Sequence, residues 1–144
     1  MNNEKSISFA GQRLTGKEKK LQKLQYNPRL EELNICGCGI EDIDFVAKLK
    51  NLKRLYAHSN QIKNLLPLMG SNIEVLHLQN NRISNIGILG DEMPNLRLAL
   101  LFGNQIESID NLETKLPIYL EAVNSSEFKD GIYLYLNPIS KDKK

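Results

Sequence analysis

The segment LKRLYAHSNQIKNLLPL, residues 52–68, decides how this chain folds. Its apolar skeleton is Leu52, Leu55, Ala57, Ile62, Leu65 and Leu68, with Asn60 after the alternating part. The same skeleton returns as Ile73, Leu76, Leu78, Asn81, Ile83, Ile86 and Leu89. It returns again as Leu96, Ala99, Leu101, Asn104, Ile106, Ile109 and Leu112. An earlier copy reads Leu30, Leu33, Ile35, Cys38, Ile40, Ile43 and Val46, with Cys in the Asn slot. The slot residues lie 22, 21 and 23 apart (60−38, 81−60, 104−81). Self-similarity at this period is the mark of a solenoid, in which neighbouring units bury one shared core.

The alternating segment of each unit predicts a short strand, paired in parallel with its neighbours. The fourth and sixth positions face the core, and the apolar residues after the slot return the chain along the convex side. A slot Asn offers both a donor and an acceptor to backbone groups left open where the strand turns inward. Cys38, Asn60, Asn81, Asn104 and Asn137 are thus expected to form a ladder, Cys fitting as a small residue often buried. Pro67, Gly70, Gly90 and Pro94 limit the returns to short 3₁₀ or α turns.

The ends are less regular. Ile7, Phe9 and Leu14 suggest a degraded first strand with Gln12 in the slot, and residues 17–25 (KEKKLQKLQ) a helical return ended before Pro28. Ile132, Leu134, Asn137 and Ile139 restore the pattern 33 residues after Asn104 (137−104), so residues 113–131 hold an insertion. The expectation is one domain over 1–144, with a degenerate N-terminal unit at 1–29. Four regular repeats occupy 30–112, and the insertion and terminal strand 113–144. The fold class is α/β: a right-handed arc of about six units with a concave parallel sheet.

The motifs LYAHSNQIKNLLPL, LHLQNNRISNIGIL and LLFGNQIESIDNL resemble the 22-residue class of intracellular leucine-rich repeats. That class includes the regulatory leucine-rich subunit of type-1 protein phosphatase, an axonemal dynein light chain and the spliceosomal A-prime protein. The resemblance covers roughly residues 30–112 and is far more specific for fold than for function. It implies a scaffold or regulatory subunit that binds another protein. The Tyr-Arg and Leu-Asp pairs that follow N-P-I in such caps are missing after Asn137-Pro138-Ile139, so no particular partner is carried over.

Strand neighbours of the core positions should face the concave side. These are Glu32, Asn34 and Cys36; Arg54, Tyr56 and His58; Val75, His77 and Gln79; Leu98, Leu100 and Phe102; and Tyr133 and Tyr135. Both His residues and three of the five Tyr residues fall there. Aromatic, His and Arg side chains with few acids suit a protein-binding surface. The bland alternative is that Tyr and His simply fit a pleated surface, and that Leu98 and Leu100 become core if residues 113–131 fold back over them.

Other chemistry is weakly represented. Cys36, His58 and His77 fall short of the four ligands of a structural zinc site, and nothing orients a Cys36–His58 nucleophile pair. Neither a metal, a cofactor nor an enzymatic activity is expected. Lys17, Lys19, Lys20 and Lys23, and Lys141, Lys143 and Lys144, are basic stretches set apart from the aromatic rows, which argues against direct RNA contact. The net charge of +2 implies no polyanion partner. The first residues lack an apolar signal core and the C-x-C thiols suit a reducing compartment, so a cytoplasmic or nuclear location without a membrane span is expected. The ribonucleoprotein and cytoskeletal-subunit readings, with end-on self-association, remain as alternatives.

Overall fold

The computed structural model describes residues 3–123 and 128–139. Seven strands form one sheet: β1 (Ser6–Ser8), β2 (Glu32–Asn34), β3 (Arg54–Tyr56), β4 (Val75–His77), β5 (Leu98–Leu100), β6 (Ile118–Tyr119) and β7 (Gly131–Tyr133). Every pairing is parallel and the order is β1-β2-β3-β4-β5-β7-β6. No strand exceeds three residues, because each copy of the pattern alternates only briefly before its slot residue turns the chain. Such strands persist only because inner ones are hydrogen-bonded on both sides. The chain is an α/β solenoid.

The skeleton residues form one continuous core. Leu33, Leu55, Leu76, Ala99 and Ile132 stand side by side in register, each fully buried. Ile40, Ile62, Ile83 and Ile106, the second residue after each slot, close the core from the return side. The returns are single 3₁₀ turns at Asp44–Lys48, Leu66–Leu68 and Gly87–Leu89. Each begins at an equivalent side chain: the Asp42, Asn64 and Asn85 oxygens accept the N–H two residues on. Ser108 does the same for Asp110. These Asx and Ser turns set where the return starts.

The first unit has an α-helical turn, α1 (Lys19–Gln22), followed by a 3₁₀ turn at Lys23–Tyr26. The helix is shorter than the sequence suggests, although Leu21 and Leu24 are buried as its apolar pattern requires. Thr15 and Glu18 hold each other in the turn that leads into it. The Glu18 carboxylate accepts the Thr15 and Gly16 N–H groups at 2.8 and 3.0 Å, and Thr15 Oγ1 accepts the Lys17 N–H at 3.1 Å.

The slot residues connect successive units. Asn60 Nδ2 donates to Ile35 O at 2.8 Å and Ala57 O at 3.0 Å, while Oδ1 accepts from Cys38 N and Ile40 N. Asn81 repeats this with Ala57, Leu78 and Ile62, and Asn104 with Leu78, Leu101 and Ile83. Asn137 does so with Leu101, Leu134 and Ile106. Cys38 has no side-chain amide to offer, and its thiol donates to Phe9 O at 3.1 Å. The N–H that an Asn would have received, Leu14, is taken by the Cys38 carbonyl at 2.8 Å. The residue before each slot is left-handed: Gly11, Gly37, Ser59, Asn80, Gly103 and Leu136 all have φ between 60° and 80°. The turn into the ladder demands that conformation, and glycine meets it without steric cost.

A second regularity runs along the strand-entry rim. Lys5, Glu31, Lys53, Glu74, Arg97 and Asp130 occupy equivalent places and alternate in charge. Successive backbone bonds of 2.8–2.9 Å join Lys5 through Arg97, and Gly131 N extends the series beside Asp130. Arg97 pairs with Asp130 at 3.1 Å and with Glu74 at 3.7 Å. Exposed pairs add little stability each, but alternation opposes any arrangement that would place like charges together.

Candidate functional site

The face of the sheet opposite the core carries three rows. Glu32, Arg54, Val75, Leu98 and Gly131 form the first, and Ser8, Asn34, Tyr56, His77, Leu100 and Tyr133 the second. Cys36, His58, Gln79, Phe102 and Tyr135 follow beyond the strands. Gly37, Ser59 and Asn80 donate to the carbonyls of His58, Gln79 and Phe102, so this third row stays in step. Arg54, Tyr56, His58, His77, Gln79, Phe102 and Tyr135 are all partly exposed on this wall.

One end of the wall is polar. The Glu32 carboxylate accepts from Ser6 Oγ at 2.9 Å, Arg54 Nε at 2.9 Å and Tyr56 OH at 3.1 Å. The Arg54 bond, then the Ser6 bond, holds the Glu32 carboxyl below the usual carboxylate range. Burial, aided by the Glu32 charge, pushes the Tyr56 phenol up. The His77 ring meets Tyr56 edge-on at 4.7 Å. Burial, then neighbouring His58, lowers its affinity for a proton. Gln79 Oε1 is buried without a hydrogen-bond partner among the described residues.

The other end is aromatic. Phe102 stacks on Tyr135 at 4.7 Å, and Tyr119 on Tyr133 at 4.6 Å. Phe128, from the insertion, lies 4.9 Å from Tyr133 and 6.4 Å from Phe102. Tyr133 OH donates to Lys129 O at 2.7 Å. The insertion thus does two things: it lays β6 on the outer edge of β7, and it brings Phe128 back over the open wall.

This corrects part of the expected binding set. Leu100 and Tyr133 are each only 2% exposed and Val75 8%, so these three are packed within the chain. Leu98 remains half-buried. Phe128, from the insertion, packs against Tyr133 at the apolar end of the second row. The terminal strand nevertheless stays in register, Tyr133 standing beside Leu100.

Cys36 and Cys38 are free thiols, and burial raises the pKa of both. Among the described residues no group of three or more His, Cys, Asp or Glu side chains could hold a metal ion. No helix among them is long and apolar enough to cross a membrane. Lys20 lies away from the open wall, donating to Gln12 Oε1 at 2.6 Å with its ammonium 5.5 Å from the Phe9 ring centre. The basic stretch Lys141, Lys143 and Lys144 lies outside the described residues.

A family model for leucine-rich repeats in two copies matches residues 28–68 and 71–114, more than half of the chain. The chain belongs to the leucine-rich-repeat family. Human leucine-rich repeat-containing protein 56 is 36% identical over 80 residues, covering 54% of this chain and 15% of that protein. Acidic leucine-rich nuclear phosphoprotein 32 family member A of Drosophila melanogaster is 30% identical over 106 residues, covering 71% of this chain and 40% of that protein. The chain therefore spans well under half of each of these relatives. Internalin C2 of Listeria monocytogenes superposes with a TM-score of 0.63 at 23% identity, over 95% of this chain and 64% of that one. An internalin F from the same organism gives 0.62 at 22%, over 95% and 49%. At these identities the two structures bear on the fold alone.

Sequence reasoning missed the left-handed residue before each slot, the Asx turns and the alternating rim. Each was legible as a column once the slots were aligned. It also missed Phe128, which belongs to no repeat and is placed only by the insertion's return.

Proposed function

We propose that this leucine-rich-repeat chain is a non-catalytic protein-binding module whose open wall holds a helix or loop of a partner. The observation that carries this reading is the joining of two chemistries on one wall. Partly exposed Arg54, Tyr56, His58 and His77 lie beside the stacked rings of Phe102 and Tyr135. Tyr, His and Arg around an apolar centre are the composition of binding hot spots. An open sheet does not exclude water, which disfavours catalysis there. Two free thiols support a reducing, intracellular setting. Affinity capture from native cell extract tests the reading, with Tyr56→Ala plus Phe102→Ala as the variant. Loss of specific capture by a folded double variant is expected, and unchanged capture refutes the reading.

End-on self-association is a separate property, favoured by the outer edges of β1 and β6. Sedimentation over a concentration series measures it without reference to the wall.

A further inference from the structure

The two ends of the solenoid are finished differently. At the first unit Leu21 and Leu24 are buried, and the Lys20 ammonium lies 5.5 Å from the Phe9 ring centre. Ser6 Oγ donates to Glu32, and Ser8 Oγ accepts from Ala10 N. That end is closed by its own helical turn and edged with polar side chains, the usual protection of an edge against pairing. Strand β6 lies in KLPIYLE, residues 115–121, whose inner five residues carry no charge. Leu116 and Ile118 pack against the core yet remain partly exposed, and Leu120 is 37% exposed. The last strand therefore leaves an apolar side open where a solenoid needs a polar cap.

Proline commonly guards such an edge, but Pro117 does not guard this one. Pro117 O and Tyr119 O accept from Ile132 N and Leu134 N at 2.8 Å, so the missing N–H of Pro117 lies on the β7 side. By alternation the N–H and C=O groups of Ile118 and Leu120 point away from β7. Among the described residues no strand pairs with them.

Resting on the end-on self-association proposed above, we infer that β6 pairs antiparallel with β6 of a second copy, about a two-fold axis through Ile118. Residues equally far before and after Ile118 then face each other, and the segment is self-complementary in that register. Ile118 faces its own counterpart, and their outward N–H and C=O groups exchange a pair of hydrogen bonds. Leu116 faces Leu120 of the second copy. Ile118 stands beside core residue Ile132, so by alternation these leucines lie on the core side too, and the contact seals the open end. Lys115 faces Glu121 of the second copy and Glu121 faces Lys115, so opposite charges meet at both ends of the contact.

Sedimentation equilibrium of the full chain, over a concentration series into the hundreds of micromolar, tests this. The apparent mass should rise to twice that of one chain and stop, because a two-fold contact uses up the edge it joins. Lys115→Glu and Glu121→Lys, both at exposed positions, should each weaken the dimer about tenfold by setting like charges opposite one another at both ends. An equimolar mixture of the two variants should recover the natural affinity, since opposite charges then meet across the axis. Ser8→Lys, on the β1 edge, should leave the dimer unchanged. Circular dichroism confirms that all three variants fold.

A mass that grows past two chains and falls back with Ser8→Lys would overturn the two-fold pairing and leave end-on self-association standing as a head-to-tail contact. A dimer indifferent to both charge variants, or one that the mixture does not restore, would also overturn the pairing. A single chain at every concentration would remove self-association and the inference together.

Discussion

The ring of Tyr135 lies 4.7 Å from that of Phe102 and 20° from parallel, although an insertion separates the two strands that they follow. The register β5–β7 is therefore kept although the intervening β6 pairs on the outer edge of β7. The wall is continuous because the excursion closes on it, with Phe128 as the closing contact.

Phe128→Ala should uncover Tyr133, which its ring packs against. We expect a stability loss of about 1–2 kcal/mol, below the full-burial range because Phe128 is itself only half-buried. Increased binding of a hydrophobic dye to the native state, alongside a lower urea midpoint, would register the exposure.

Asn60→Ala and Asn81→Ala each leave buried backbone groups of two adjacent units without partners. Each should cost about 1–3 kcal/mol in chemical denaturation. Asn137→Ala should cost less, because Asn137 is only half-buried and water can replace its amide. Equal losses at all three positions would contradict this view of the ladder.

Leu136 adopts φ 61° and is 72% exposed, in a column otherwise filled by glycine, Ser59 and Asn80. A left-handed L residue costs about 1–2 kcal/mol, and glycine returns part of that gain as unfolded-state entropy. Leu136→Gly should raise stability by about 1 kcal/mol, a Tm increase of about 3 °C.

Two pH windows follow from the perturbed groups. Burial, then His58, places the folded-state pKa of His77 below its ordinary 6.5. The folded state therefore binds fewer protons there, and this contribution is complete above pH 6.5 and lost as pH falls through the folded value. Glu18 is held at about 2 rather than 4.5, chiefly by the Thr15 N–H bond, so its contribution is present above 4.5 and lost as pH falls towards 2. Urea midpoints across pH 8 to 2 should flatten in the upper window with His77→Asn and in the lower with Glu18→Gln.

The repeat made most of the fold legible before any coordinate. Slots such as Asn60 and Asn81 fix the register of the strands before them, and the register fixes which side chains share a row. Tyr56 beside His77 followed from that arithmetic alone. What failed was the exposure of particular wall residues. Val75, Leu100 and Tyr133 have wall positions by register yet are buried, Tyr133 against Phe128 from the insertion. Periodicity carries no information about a segment that does not repeat. The networks around Glu32 were equally invisible, because cross-strand partners 22 and 24 residues away become neighbours only once the strands are paired.

The most direct test of the central claim compares partner capture from native cell extract by three proteins: the natural chain, the Tyr56→Ala/Phe102→Ala variant, and a Lys63→Ala control on an exposed return residue. All three must first show the same folded spectrum. The docking role predicts that the natural chain and the Lys63 control retain the same specific partner while the double variant loses it. Equal retention by all three would contradict it.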